Sequence, residues 1–259
     1  MLDDSRFMVP LQLAGQLIME NGGETYRVEE TITRMGRAFG LRDVESFAIP
    51  SGVFISYRRS DGSLETAVKR VRRGSTNLTR VDEVNAVSRQ VESEGLSCEA
   101  ALEKLQAIQR RWPLVNRRIL VLAVAISSGG WAVMFGGGAW DFACAVVAGG
   151  VMQAFTAMLE RLKMKSLVAT LLGSLIAAFI PMVFHHVTGL GAVDAIVAGT
   201  LMPMLPGLSM TNAVQDSMRG DMVSAMSHAV SALLTAALIA GGVLTASWIF
   251  SFLTGGGVL

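Results

Sequence analysis

The chain has 259 residues, of which 51% are hydrophobic, and a mean hydropathy of +0.47. This composition is too apolar for an ordinary soluble domain, and the formal net charge of +1 argues against nucleic acid as a main partner. The charged residues are unevenly placed, with 34 in residues 1–118 and 9 in residues 119–259. We therefore predict an α-helical polytopic membrane protein with a water-facing domain at its N-terminus.

The N-terminal domain, residues 1–112, is predicted to have an α+β fold. Two helices are expected over residues 6–41, joined at Asn21-Gly22-Gly23. The second helix carries an apolar stripe at helical spacing, formed by Val28, Ile32, Met35 and Phe39.

The rest of this domain changes from strand patterns back to helices. Residues 44–71 alternate as strands do, and Asp61-Gly62 between two alternating runs predicts a hairpin. Helical periodicity returns over residues 80–111. The predicted order is ααβββαα.

The second domain, residues 113–259, is predicted to span the membrane about five times. Its apolar runs approach or exceed the ~20 residues that cross a bilayer. They lie near 119–138, 142–159, 166–184, 190–205 and 227–252. The Lys and Arg residues of the short loops predict a cytoplasmic N-terminus and a periplasmic C-terminus.

A polar segment, Pro203–Asp221, interrupts the apolar sequence before the last run. Broken backbone at membrane depth persists where it is buried in protein or lines a watery cavity. A helix that restarts around Ser209–Thr211 would present free N–H groups to a carboxylate, and Asn212 and Asp216 would share one of its faces. We predict a substrate path lined by Pro206, Gly207, Ser209, Thr211, Asn212, Asp216 and His228. The alternative is an ordinary loop followed by a capped helix.

Two carboxylates are candidates for proton coupling, because such groups are costly near the membrane interior unless they are paired or functional. They are Asp216 and Asp194, and for Asp194 an interfacial position is an equal alternative. His228 could pair with Asp216 or with an anionic substrate, or it could be a polar interfacial residue. Two further acids are expected at helix starts, Asp141 as an N-cap and Asp221 as a cap of the last span.

Glu24, Arg27 and Glu29 in the N-terminal domain are predicted to have structural or gating roles. No nucleophile–base set accompanies them, and the phosphate-loop pattern is absent from the sequence, so the chain is not predicted to be an enzyme. Cys98 and Cys144 lie in regions of different solvent preference, so neither a disulfide nor a metal site is expected, and no cofactor is predicted.

Several motifs together resemble the threonine/serine exporter family. They are AGQLIMENGGETYRVEETITRMGRAFGL (14–41), VESFAIPSGVFIS (44–56), FGGGAWDFA (135–143) and LPGLSMTNAVQDSMRGD (205–221). His228 departs from the family pattern, because many members are expected to carry an arginine nearby. The resemblance covers nearly the whole chain.

The resemblance implies a subunit of a secondary active exporter in the bacterial inner membrane. Members of this family occur as one long chain or as two subunits, and this chain resembles the larger subunit of the split form, similar to the one associated with succinate export. The resemblance also implies that a small membrane subunit is the partner of this chain in a homo- or hetero-oligomer. The expected cargo is a small carboxylate, either succinate or a related dicarboxylate, or threonine and serine. The alternative function is a membrane-tethered regulator or enzyme that acts through residues 1–112.

Overall fold

The computed structural model describes residues 4–72, 76–111 and 116–255. These residues form two compact units. The first unit contains residues 4–111 together with 208–229, and the second contains residues 116–207 together with 230–255. The first unit thus differs from the predicted N-terminal domain by including residues 208–229. The predicted boundary between residues 112 and 113 lies outside the described residues.

The ααβββαα order of the first unit is confirmed. After a 3₁₀ turn at Asp4–Phe7, its elements are α1 (Met8–Glu20), α2 (Thr25–Ala38), β1 (Arg42–Ile49), β2 (Gly52–Arg58), β3 (Leu64–Arg70), α3 (Leu78–Glu94) and α4 (Cys98–Arg110). The strands form an antiparallel sheet in the order β1-β2-β3. Gly62, at a φ of +85°, makes the predicted turn between β2 and β3.

The helices pack on one face of this sheet and bury a single apolar core. The predicted stripe of α2 is confirmed, since Val28, Ile32 and Met35 are fully buried and Phe39 packs at its edge. Val53 and Ile55 of β2 reach the same core from the sheet. At about 1.5–3 kcal/mol for each large apolar side chain, this burial is the main term that stabilises the unit.

The second unit is built from apolar helices: α5 (Arg117–Met134), α6 (Ala139–Arg161), α7 (Ser166–Thr188), α8 (Val193–Leu201) and most of α10 (Met222–Thr254). Its core consists largely of small residues, such as Ala132, Ala145 and Ala178. Small residues let helix backbones approach closely.

Among the described residues, α5, α6, α7 and α10 are long and apolar enough to cross a bilayer. The predicted span near 190–205 is not one continuous helix. It consists of α8 and a 3₁₀ turn at Met202–Met204, ends at Leu205-Pro206, and passes the same test only together with α9 (Gly207–Met218). Proline removes a backbone donor and so stops the helix at this point. The count is therefore four to five candidate spans.

Candidate functional site

The helix α9 ends in a tight turn that leads directly into α10. Gly220, at a φ of +84°, occupies the left-handed position that ends a helix. Its N–H bonds the carbonyl of Ser217, and the N–H of Asp221 bonds the carbonyl of Asp216 at 2.9 Å. The carboxylate of Asp221 then accepts from the N–H of Ser224 at 3.2 Å, so the prediction that Asp221 caps the last span is confirmed. This turn fixes where α9 and α10 place their polar side chains.

The buried face of α9 carries the residues that the sequence singled out. Asn212 and Asp216 are both buried and lie four residues apart, so the prediction that they share one helix face is confirmed. The helix restarts at Gly207, slightly before the predicted Ser209–Thr211. Pro206 stands immediately before it.

Asp216 lies at the centre of a buried hydrogen-bonded group. Asp216 is 1% exposed to solvent, and each of its carboxylate oxygens has a hydrogen-bond partner. Oδ2 lies 2.9 Å from Nδ1 of His228 in α10, and Oδ1 accepts from the hydroxyl of Thr25 at 3.1 Å. Thr25 is the first residue of α2, so the group joins α2, α9 and α10 within the first unit.

The ionisable part of this group is the pair of Asp216 and His228. Within the described residues, no Lys or Arg forms a salt bridge with Asp216, and His228 is a cationic partner only if its imidazole is protonated. Leaving a buried carboxylate without a partner costs several kcal/mol, so the contact with His228 matters for keeping Asp216 in this position. The geometry is that of an acid–imidazole pair within hydrogen-bonding distance.

His228 also lines a small cavity of about 80 Å³. Ser209 and Asn212 of α9 and Glu20 of α1 line the same cavity. A volume of this size holds roughly two or three waters. The cavity places polar groups beside the imidazole that bonds Asp216.

Glu29 lies one turn along α2 from Thr25 and ties the sheet to this region. Its Oε1 accepts from the N–H of Ala48 in β1 at 2.9 Å, and the carbonyl of Ala48 accepts from the hydroxyl of Ser224 at 3.5 Å. Burial raises the pKa of Glu29, the bond from Ala48 opposes this, and the charges of Asp221 and Asp216 raise the pKa further. Glu29 is thus electrostatically coupled to the buried carboxylate.

Glu24 and Arg27 form a salt bridge at the start of α2, with 2.7 Å between Oε2 and Nε. Burial alone would raise the pKa of Glu24, but hydrogen bonds from Arg27 and the backbone, together with the charges of Arg27 and Arg219, outweigh it, so this pKa is lowered. The hydrogen bond from Glu24 likewise raises the pKa of Arg27. This geometry is consistent with the structural role predicted for the pair.

The remaining α9 candidates lie nearby but outside the buried group. The hydroxyl of Thr211 donates to the carbonyl of Leu208 at 3.0 Å on an exposed part of the helix. Ser209 contributes to the cavity beside His228. The sequence analysis did not single out Thr25, whose partner lies 191 residues away. Its position two residues after Gly23 marks a helix start, and nothing in that pattern indicates that its hydroxyl bonds a buried carboxylate.

Two predicted acids lie in the second unit. Asp194 is exposed in the first turn of α8. Asp141 is buried, and its carboxylate accepts from the N–H of Gly138 at 2.7 Å and from that of Ala192 at 2.8 Å. The prediction that Asp141 is an N-cap is wrong, because α6 begins earlier with Gly138 as the cap. Asp141 instead satisfies free N–H groups at the starts of two helices, α6 and α8.

These features define a polytopic helical membrane protein with a buried acid–imidazole pair. Residues 11–250 match the family model described as "Putative threonine/serine exporter". The chain belongs to the threonine/serine exporter family. Membership, together with four to five apolar helices, supports a multi-pass membrane protein.

The curated relatives differ in name and in length. The chain is 23% identical over 228 residues to a "Probable threonine/serine exporter" of Mycobacterium tuberculosis, covering 87% of this chain and 43% of that protein. It is 27% identical to the "Probable succinate transporter subunit YjjP" of Klebsiella aerogenes, covering 88% of each chain. It is 25% identical to the protein of the same name in Escherichia coli K12, covering 89% of this chain and 90% of that one. No solved structure matches the chain significantly.

The chain spans less than half of the mycobacterial exporter but nearly the full length of the two succinate transporter subunits. The name of those two relatives identifies each as one subunit of a transporter.

Proposed function

We propose that this protein is the larger subunit of a secondary active exporter that moves a small carboxylate metabolite out across the bacterial inner membrane. Family membership and the subunit-length match to the succinate transporter relatives support an exporter subunit. The cargo is succinate or a related dicarboxylate, or threonine and serine. Transport is driven by the proton gradient or by the gradient of the cargo.

The single observation that carries the mechanism is the buried pair of Asp216 and His228, bonded to Thr25. A buried carboxylate hydrogen-bonded to an imidazole has the chemistry that a proton-coupling site requires, because both groups can exchange a proton. We assign proton coupling to this pair, with Asp194 as the second candidate in the membrane part. The substrate path runs along α9 past Pro206, Gly207, Ser209, Thr211 and Asn212.

In this proposal, the N-terminal domain lies in the cytoplasm and the C-terminus in the periplasm. Thr25 gives α2 a direct bond to the coupling carboxylate, so a change in the proton on the pair alters a contact of the cytoplasmic domain. Glu29 and the Glu24–Arg27 pair hold the same part of α2 in place. A small membrane subunit completes the exporter.

The test is efflux from cells that lack this protein and its small partner. Cells loaded with succinate, threonine or serine should release at least one of the three more slowly than wild-type cells. Expression of both subunits should restore the release. Unchanged efflux of all three would contradict the exporter assignment for these cargoes.

A further inference from the structure

A second polar cleft lies in the first unit, on the side of α2 that faces the α9–α10 turn. Its volume is about 750 Å³, which falls in the range of small-molecule sites. Its charged lining residues are three arginines and three glutamates, and Tyr26 also lines it: Arg34, Arg37, Arg219, Glu29, Glu30 and Glu92. The predicted substrate path on α9 does not include this cleft.

The three arginines of the cleft differ in their partners. Arg34 is neutralised by two carboxylates, bonding Glu30 and lying 3.5 Å from Glu92. Arg37 and Arg219 form no salt bridge with any described residue. Among the described residues, the cleft therefore contains two guanidinium groups that form no salt bridge, although the charge of Arg219 contributes to the lowered pKa of Glu24.

Arg219 is also held in a defined orientation. Its guanidinium carbon lies 3.5 Å from the centre of the Tyr26 ring, a close cation–π contact. Stacking of this kind occupies the flat face of a guanidinium and leaves the N–H groups along its edge available. Those N–H groups match the two oxygens of a carboxylate in a bidentate bond. Arg219 follows Asp216 by three residues in the same turn, so the cleft adjoins the buried pair in sequence.

We propose that Arg37 and Arg219 bind the carboxylate group of a small metabolite in this cleft, which is a recruitment site separate from the path along α9. The recruitment role rests on the proposed function, whereas the binding itself does not. The shared chemistry is the carboxylate, which both a dicarboxylate and an α-amino acid carry. Glu29 at the cleft wall would repel a second carboxylate and attract an ammonium group, so the two sources should differ in affinity.

The test is a titration of the purified full chain in detergent by calorimetry, with succinate, L-threonine and inorganic phosphate as separate ligands. The wild-type protein should bind succinate or L-threonine more tightly than phosphate. The double variant Arg37→Gln/Arg219→Gln should bind that carboxylate at least ten-fold more weakly, which corresponds to about 1.4 kcal/mol. Arg70→Gln removes an exposed arginine of β3 that lies outside the cleft, and it should bind as the wild type does.

A second variant distinguishes a loss of binding from a folding defect. Arg37 is exposed, so Arg37→Gln alone should keep the wild-type unfolding transition and still weaken binding. Wild-type affinity in the double variant, equal affinity for phosphate, or no binding by the wild-type protein would each overturn the proposal. These results are distinct from failure of the exporter assignment, which is unchanged efflux when the protein and its partner are deleted.

Discussion

Replacement of Asp216 by Asn tests the buried pair with little change in shape. Asn keeps one acceptor oxygen, so it can accept from Thr25 or from His228 but not from both. Loss of one charge-assisted hydrogen bond costs about 1.5–3 kcal/mol, and the lower desolvation cost of a neutral amide offsets part of it. We expect the free energy of unfolding to fall by about 1–2 kcal/mol, which a domain with typical stability of about 5–15 kcal/mol survives.

Efflux should respond far more strongly than stability. Asp216→Asn removes the group that holds the proton, so transport should be abolished while membrane insertion is preserved. The assay is release of the exported metabolite from loaded cells, with the amount of protein in the membrane measured in parallel. The matched control is Asp221→Asn, which removes the next acid along the chain and leaves a good helix cap. Wild-type efflux by Asp216→Asn, or equal loss in both variants, would refute the assignment of proton coupling to Asp216.

Three further variants test other parts of the account. Thr25→Val should slow efflux and lower the free energy of unfolding by about 1–2 kcal/mol because it removes the hydroxyl that bonds Asp216, and Thr25→Ser should restore both measurements. The pKa of Glu29 is raised in the folded protein, so its protonated form favours folding. The wild type should therefore lose stability relative to Glu29→Gln as pH rises from 4.5, the ordinary pKa of the group, through the raised value. A difference in thermal unfolding between the two proteins that does not vary with pH would contradict this. Gly199→Ala should destabilise the second unit because a new Cβ would lie 2.7 Å from a backbone atom of α5. The control is Gly130→Ala, whose Cβ would have no neighbouring atom of another element within 4 Å and should not destabilise it. Equal melting temperatures for these two variants would contradict the packing argument.

Local sequence patterns predicted the helices and strands of the first unit well, because each of these elements depends on residues that are close together in the chain. The strand alternation and the turn at Gly62 lie within one stretch of chain, and the structure forms β2 and β3 there. The i, i+4 spacing of Asn212 and Asp216 similarly follows from helix geometry alone. Such features depend on backbone preference and periodicity, which a single sequence contains.

The composition of the buried group could not be predicted in the same way. His228 was a candidate partner of Asp216 because it lies near the start of the last predicted span, but Thr25 reaches Asp216 only through the tertiary fold. The grouping of residues 208–229 with the first unit also depends on packing between distant segments. The error at Asp141 has a local cause, because α6 begins three residues earlier than an N-cap at this position would require. The second donor to Asp141, Ala192, lies 51 residues away and could not be predicted from local sequence.

The central claim is that this chain exports a carboxylate through a site that contains Asp216. The most direct measurement is flux from proteoliposomes that contain the chain and its small partner, loaded with labelled succinate, threonine or serine, with and without an imposed pH gradient. Release of at least one cargo should increase with the gradient, and Asp216→Asn should release none. Absence of flux for all three cargoes, or equal flux through wild type and Asp216→Asn, would contradict it.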